Sequence, residues 1–265
     1  MSERPQTWHY GLMAEWWAHF NTDGGQELAY FRRFVEAGEP ALDAGCGNGR
    51  LLLPWLRDGL DVDGCDVSAD MVAQCRARAE ADGLNPALWA QPLHELEPPR
   101  LYRTVVVCGV FGLGTTRAED EEAIRRLYAA LEPGGTLLLD NEVPYSSVRR
   151  WMRWTSEGRA ELPRPWSAEP DRREAPDGSE YALRTRMLEV DPLDQSTRIE
   201  MRIEKWQDGE LVAEEQQPLS MRMWFRDELV LMLRTAGFSE VSVRGGYEDE
   251  EPRPDHDFLV FIAQK

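Results

Sequence analysis

The chain has 265 residues, 42% of them hydrophobic, and a formal net charge of -18. That length holds one α/β core of ordinary size with an attachment, and two fully independent domains would be a tight fit. The charge argues against DNA or RNA as a partner, because nucleic-acid affinity comes largely from lysine and arginine displacing counterions.

No stretch approaches the roughly 20 apolar residues that cross a membrane. Met1 to Phe20, with Trp8, Trp16 and Trp17 among polar residues, lacks the apolar run and cleavage site of a signal peptide. The expectation is a cytoplasmic protein with no membrane partner. Cys46, Cys65, Cys75 and Cys108 have no paired spacing and no histidine cluster beside them, so reduced buried thiols and no metal are expected. Arg149, Arg150 and Arg153 read as a solvated helix face, and Glu248 to Glu251 as solvated surface.

From Pro40 onward, short apolar runs alternate with amphipathic stretches, the pattern of a parallel sheet with crossover helices. Ala41 to Ala44 is the first expected strand. A helix beginning near Asn48 follows, with Leu51, Leu52, Trp55 and Leu56 on one face. Asp61 to Cys65 is the second strand. Ser68 then caps a helix carrying Met71, Val72, Cys75 and Ala79, which Gly83 ends. Ala87 to Gln91 and the continuously apolar Thr104 to Cys108 are the third and fourth strands, the latter leading into Gly109-Val110-Phe111-Gly112. A helix through Ile124, Leu127, Tyr128 and Leu131 stops at Pro133-Gly134-Gly135, and Thr136 to Asp140 is the fifth strand.

After Asn141 the pattern changes. Tyr145 to Asp177 has no clear period, and three alternating segments follow: Tyr181 to Met187, Thr197 to Glu204, and Leu219 to Phe225, with a hairpin turn at Asp208-Gly209. These read as an inserted antiparallel sheet. A helix through Leu229, Met232, Leu233 and Ala236 closes at Gly237, and Val241 to Arg244 and Phe258 to Ala263 end the chain as strands. With no helix between them they must pair antiparallel. The expected fold is α/β, a Rossmann-like doubly wound seven-stranded sheet with an antiparallel terminal hairpin plus the inserted sheet. The divisions are 1–35 for an N-terminal helix region, 36–144 with 226–265 for the core, and 145–225 for the insert.

In open α/β sheets ligands lie at the carboxyl ends of the strands, where a glycine-rich turn lets backbone approach closely. Here that turn is Asp43-Ala44-Gly45-Cys46-Gly47-Asn48-Gly49, with Asp66 ending the second strand. A dinucleotide-binding turn has the pattern G-x-G-x-x-G. In this chain the third glycine falls one residue early and Arg50 stands in its place. A carboxylate at Asp43 would also repel a pyrophosphate, whereas S-adenosylmethionine, with an ammonium and a sulfonium, suits an acidic rim. An NAD(P)-dependent oxidoreductase is the alternative, and a non-catalytic S-adenosylmethionine-binding protein is a third.

Asp43 to Gly49, Asp66, the Glu132-Pro133-Gly134-Gly135 turn and Ala236-Gly237-Phe238 before the two last strands resemble the class I S-adenosylmethionine-dependent methyltransferases. The resemblance implies an enzyme with S-adenosyl-L-methionine as cofactor and a small-molecule acceptor methylated on nitrogen or oxygen. It implies that Asp43 and the loop Gly45, Cys46, Gly47, Asn48, Gly49 and Arg50 line the methionine moiety. Asp66 would take the ribose hydroxyls, Val67 and Met71 would lie beside the adenine, and Cys108 would border the sulfonium. Gln91 and Leu93 would face the adenine edge, with Gln91 standing where many members carry an acid.

By the same resemblance Tyr10 to Phe20 is a lid helix, with Tyr10 and Trp17 as lid residues; the other reading is an amphipathic helix packed on the core. The inserted sheet is similar to the cap of small-molecule members, and a homodimer interface is equally open. For a general base Glu142 ranks first because it follows the fifth strand, then His94 and Tyr145. His9 and His94 are candidates mainly because histidines are few, the other reading being a surface residue, and His256, just before the last strand, has less claim. Phe111, Tyr145 and Trp151 are either an acceptor pocket or core.

Overall fold

The computed structural model describes Thr7 and residues 9–265; Met1 to Gln6 and Trp8, on which part of the N-terminal reading falls, lie outside the described residues. Two helices come first, α1 (Gly11–Phe20) and α2 (Gly25–Ala37). The second was not expected, although Leu28, Phe31, Phe34 and Val35 have helical spacing. Then come β1 (Ala41–Ala44), α3 (Leu52–Arg57), β2 (Val62–Asp66), α4 (Ala69–Ala81) and β3 (Leu88–Ala90). The Ser68 hydroxyl caps α4 by accepting the Met71 amide at 3.2 Å.

A single 3₁₀ turn (Leu93–Glu95) leads to β4 (Tyr102–Val107), α5 (Arg117–Ala130) and β5 (Leu131–Glu142). Thr116 and Glu119 form a reciprocal capping box that fixes where α5 starts. The fifth strand begins earlier than expected, because Leu131 already pairs with Tyr102 before a register shift admits the Pro-Gly-Gly turn.

The unpatterned stretch contains α6 (Val148–Met152), α7 (Ser156–Arg159) and β6 (Asp171–Glu174). It is followed by β7 (Glu180–Asp191), β8 (Ser196–Gln207) and β9 (Glu210–Arg222). These make a four-stranded antiparallel sheet in the order β6-β7-β8-β9, one strand more than expected. β6 is exposed throughout and has no apolar alternation to reveal it. β9 is longer than read because its first half is largely exposed, and as an edge strand it tolerates Pro218. The expected hairpin turn is present, with Asp208 and Gly209 both at positive φ (51° and 81°).

The chain ends in α8 (Arg226–Ala236), β10 (Glu240–Gly245) and β11 (Phe258–Gln264), with Gly237 left-handed at φ 115° as the stop of α8. The core sheet runs β3-β2-β1-β4-β5-β11-β10, parallel except for β11, which is antiparallel to both neighbours. Strand order reverses at β1 and β4, so the crevice beyond their carboxyl ends is the topological switch point.

Buried residues of β1, β2, β4 and β5 pack against the helices on either face of the sheet. A third apolar cluster joins α1 to the insert, with Leu12, Met13 and Trp16 against Tyr181, Leu183, Met201 and Ile203. The aromatic side of α1 therefore packs on the inserted sheet rather than on the core. Among the described residues no helix is long and apolar enough to cross a membrane. All four cysteines are buried and free.

Candidate active site

The loop after β1 turns sharply because its glycines take positive φ (Gly45 98°, Gly47 54°). A Cβ on Gly45 would meet the Val110 side chain at 2.5 Å, so the loop after β4 can close on this turn only if residue 45 is glycine. Behind the turn, the Asp66 carboxylate accepts the Gly47 amide at 2.9 Å and the Ser68 amide at 2.8 Å. Burial pushes Asp66 up to about 6 against those two bonds.

A cavity of about 550 Å³ opens at this point. One wall is the Gly45 to Asn48 turn with Arg50, and the next is Asp66, Val67 and Met71. The 3₁₀ turn contributes Leu93, His94 and Glu95, and Cys108 to Thr115 with Glu119 and Asp120 supply the far side. His9, Trp17 and Asn21 complete it from the N-terminal segment.

The roof is held by bonds between distant parts of the chain. The amides of Gly11 and Leu12, at the start of α1, donate to Asp70 at 2.8 Å and to Glu215 at 2.9 Å. Carboxylates suit a helix N-terminus, which presents unpaired amides and partial positive charge. At the other end of α1, Asn48 Nδ2 donates to the carbonyls of Trp17 at 2.6 Å and Asn21 at 3.0 Å, so the glycine turn itself grips the helix. The insert reaches the same cavity through β9: Gly114 donates to Ser220 at 2.7 Å and Arg222 to Gly112 at 2.8 Å, bracing the loop after β4.

Of the residues the sequence singled out, the structure brings to this cavity Trp17, Gly45, Cys46, Gly47, Asn48, Arg50, Asp66, Val67, Met71, Leu93, His94 and Cys108. Others lie elsewhere. Asp43 sits in β1 behind the turn, 2% exposed. Burial pushes its carboxyl up to about 7, opposed by the Arg50 charge and a bond from the Leu52 amide. Gly49 is a packing glycine whose Cβ would strike Leu53 and Cys75 at 2.7 Å. The Tyr10 hydroxyl donates to the Val67 carbonyl at 3.4 Å outside the cavity wall. Gln91 is turned away: its carbonyl accepts Trp89 Nε1 and the Glu97 amide, and its NH₂ donates to the Glu95 carbonyl.

The first-ranked base is also displaced. Glu142 is paired with Arg150 at the surface end of β5 and lines no part of the cavity. Tyr145 stacks on Phe225 with ring centroids 6.0 Å apart. Trp151 is exposed, and of the three proposed aromatics only Phe111 faces the cavity. His94 does line it, with Nε2 3.7 Å from Glu119 and 3.9 Å from Glu95.

Sequence reasoning missed Glu119 and Asp120, and it read His9, a candidate mainly because histidines are few, as a surface residue, whereas it lines the cavity. His9 lies beneath Trp17 (centroids 5.6 Å apart), bonds Thr7 at 2.7 Å, and is lowered to about 4 by burial. Thr116-x-x-Glu119 is a legible capping box and would have placed Glu119 and Asp120 at the carboxyl end of β4.

This cavity suits a cationic donor and rejects a pyrophosphate. Its glycine turn has an acid, Asp66, beside it, and its one arginine or lysine among the described residues, Arg50, is bound to Glu27 at 2.9 Å. Trp17 Nε1 is buried with no acceptor among the described residues.

Residues 41–135, which include the turn, Asp66 and β4, match the methyltransferase domain family. The chain carries a methyltransferase domain over these residues and as a whole is similar to S-adenosylmethionine-dependent methyltransferases. A protein from Geobacillus sp. that carries a methyltransferase name is 26% identical over 228 residues, 84% of this chain and 83% of its own. The methyltransferase also shares its fold with an S-adenosylmethionine-dependent methyltransferase from Clostridium acetobutylicum, with TM-score 0.69 and 13% identity over 91% of this chain and 92% of that one. A sugar N-methyltransferase, KedS8 from Streptoalloteichus sp., superimposes with TM-score 0.67 and 17% identity over 93% and 90% of the two chains. A methyltransferase domain at the glycine turn sets the oxidoreductase alternative aside.

Proposed function

We propose that this methyltransferase methylates an amine nitrogen on a polar small molecule. The observation that carries the reading is the charge of the cavity wall: Asp66, Glu95 and Glu119 line a space whose one arginine among the described residues is already paired with Glu27. Such a wall attracts a cationic donor and a cationic acceptor alike. The likeness to a sugar N-methyltransferase supports it at the level of fold.

The choice of nitrogen over oxygen follows from the available bases. A hydroxyl is a poor nucleophile until a base beside it takes its proton as it attacks, whereas an amine once neutral attacks with the lone pair it already carries. Of the bases the sequence offered, Glu142 and Tyr145 do not reach the cavity and His9 is lowered to about 4, which leaves His94, on the wall beside Glu119, as the one of them placed to take the one proton an ammonium must lose. S-adenosylmethionine supplies an activated methyl on its sulfonium. The chain's part is to bind, orient and exclude water. In this proposal Asp66 accepts the ribose hydroxyls, Gly45 to Asn48 holds the methionine moiety, and Val67, Met71 and Leu93 flank the adenine. Trp17 covers the donor, and residues 145–225 act as a brace and roof for the loop after β4.

The test is incubation with S-adenosylmethionine and either glucosamine or glucose, with the product site read by mass spectrometry and NMR. A methyl on the glucosamine nitrogen is the expected product. Methyl found on a hydroxyl oxygen, or on no amine at all, would defeat the proposal.

A further inference from the structure

Behind the wall of the donor cavity lies a second cavity of about 430 Å³, between the start of α2 and the connection from β10 to β11. Its lining includes Gln26, Glu27, Tyr247, Glu248 and Phe258, together with Arg253 and His256. The partition between the two spaces is thin in two places. Glu27, on the second wall, meets Arg50, on the first, at 2.9 Å. Tyr247 donates to Asp140 Oδ2 at 2.6 Å, and the same oxygen accepts Cys108 Sγ, on the first wall, at 3.2 Å. A path from one cavity to the other therefore crosses one ion pair or one carboxylate.

We propose that this second cavity is the acceptor's subsite, that it takes the ammonium group of a polar small molecule, and that the Glu27–Arg50 pair is the partition the ammonium displaces. This rests on the amine-methylation reading. The chemistry of the wall selects the ligand. Glu248 stands exposed with no side-chain partner among the described residues, so an arriving ammonium finds an unpaired carboxylate. Tyr247 and Phe258 stack with centroids 6.1 Å apart, offering aromatic faces that attract ammonium groups. His256 and Arg253 are already turned to Glu250 and do not cancel these charges.

Arg50 couples the two sides. It lines the donor cavity and touches Cys108 at 3.3 Å. A carboxylate bound in the donor cavity competes for its guanidinium and frees Glu27 for the ammonium, so donor binding prepares acceptor binding. Thermodynamic linkage makes the effect reciprocal.

The nitrogen must also lose a proton before it can attack. Its N–H bond breaks with the electron pair left on nitrogen. The proton goes to the Tyr247 oxygen, while the Tyr247 hydroxyl proton passes to Asp140 Oδ2, leaving a neutral carboxyl. Tyr247 ends unchanged, and the amine holds the lone pair. Asp140 is suited to hold the proton, since burial raises its carboxyl above the ordinary range.

Calorimetric titration of glucosamine, with glucose as the uncharged control, tests the site in the presence and absence of S-adenosylhomocysteine. Glucosamine should bind and glucose should not, and S-adenosylhomocysteine should tighten the binding. Glu27→Gln and Glu248→Gln should each weaken it about tenfold, the scale of a charge-assisted bond. Gln26→Trp, which fills the cavity from an exposed helix position, should abolish it while S-adenosylhomocysteine affinity stays within about twofold. Tyr247→Phe should keep the binding and slow methylation at least about tenfold. If glucosamine is N-methylated but all of these variants bind and methylate it as the wild type does, the subsite is refuted and the amine reading survives. If wild type neither binds nor methylates glucosamine, the amine reading falls and the subsite with it.

Discussion

Replacing Asp66 by asparagine should leave the empty protein about as stable as the wild type while removing most of its affinity for S-adenosylhomocysteine. Two effects on stability oppose each other. Holding the carboxyl near 6 instead of 3.8 costs the ionised form about 3 kcal/mol in the 8%-exposed site, and asparagine removes that cost. The amide, however, has one acceptor oxygen where the carboxylate has two. It can serve either the Gly47 amide or the Ser68 amide, and the other is left facing an NH₂ group. A buried unsatisfied amide costs about 1–3 kcal/mol. The difference is about 1 kcal/mol, a change of several degrees at most in Tm.

Binding has no such offset. The ribose hydroxyls proposed for Asp66 would lose charge-assisted bonds of about 1.5–3 kcal/mol each, so affinity should fall about a hundredfold or more. Isothermal calorimetry with S-adenosylhomocysteine and a thermal melt of each protein decide it. Binding within about threefold of wild type would refute the ribose assignment. A melt lower by more than about 10 °C would refute the balance of burial against hydrogen bonding.

Asp43→Asn should stabilise the free protein in a pH-dependent way. The native carboxyl keeps its proton to about pH 7 where the unfolded one releases it near 3.8, so native stability falls as pH rises through that window. Asparagine still accepts the Leu52 amide, and its advantage should be absent at pH 4, grow to pH 7 and level off at no more than about 4 kcal/mol; an advantage that shrinks with pH would contradict the burial argument. Asn48→Ala strips the Trp17 and Asn21 carbonyls of their donor. A stability loss of about 2 kcal/mol and faster release of S-adenosylhomocysteine in stopped-flow fluorescence should follow, and unchanged release would mean that α1 does not hold the donor in. Glu142→Gln, at a surface ion pair, should change kcat by less than about twofold. A loss of a hundredfold would return Glu142 to the chemistry.

The glycine-turn side of the cavity was legible because its determinants are local. Positive φ at Gly45 and Gly47 is written in the glycines, and Asp66 is fixed by the end of a short apolar strand. The same local reading misplaced Asp43 and Gln91. A strand residue two positions before a turn can face the ligand or the sheet interior, and only the three-dimensional packing decides which. For Gln91 the competing partners, Trp89, Glu95 and Glu97, are all within six residues. Its side chain satisfies its own turn before any ligand arrives, a common use of a short-range carboxamide. Glu142 failed for another reason: being next to the carboxyl end of a strand places a residue near the crevice, but Arg150 in the following helix supplies a partner on the outer side.

The acceptor half depends on contacts that no local pattern encodes. Leu12 and Glu215 are 203 residues apart, and Arg50 and Cys108 are 58 apart. The helix α1 joins the insert through the Trp16 cluster, the glycine turn through Asn48, and α4 through Asp70. A movement of α1 that opens the donor cavity must therefore break contacts with the core and the insert together. Arg50 stands where α2, the turn and β4 meet, and its pairing with Glu27 leaves the empty protein with no unpaired cation at the point where a sulfonium is proposed to lie. In the proposed arrangement the acidic rim selects the donor by its positive charge. The same rim would also admit a cationic acceptor, so discrimination between the two has to come from shape and from the order in which Arg50 changes partners.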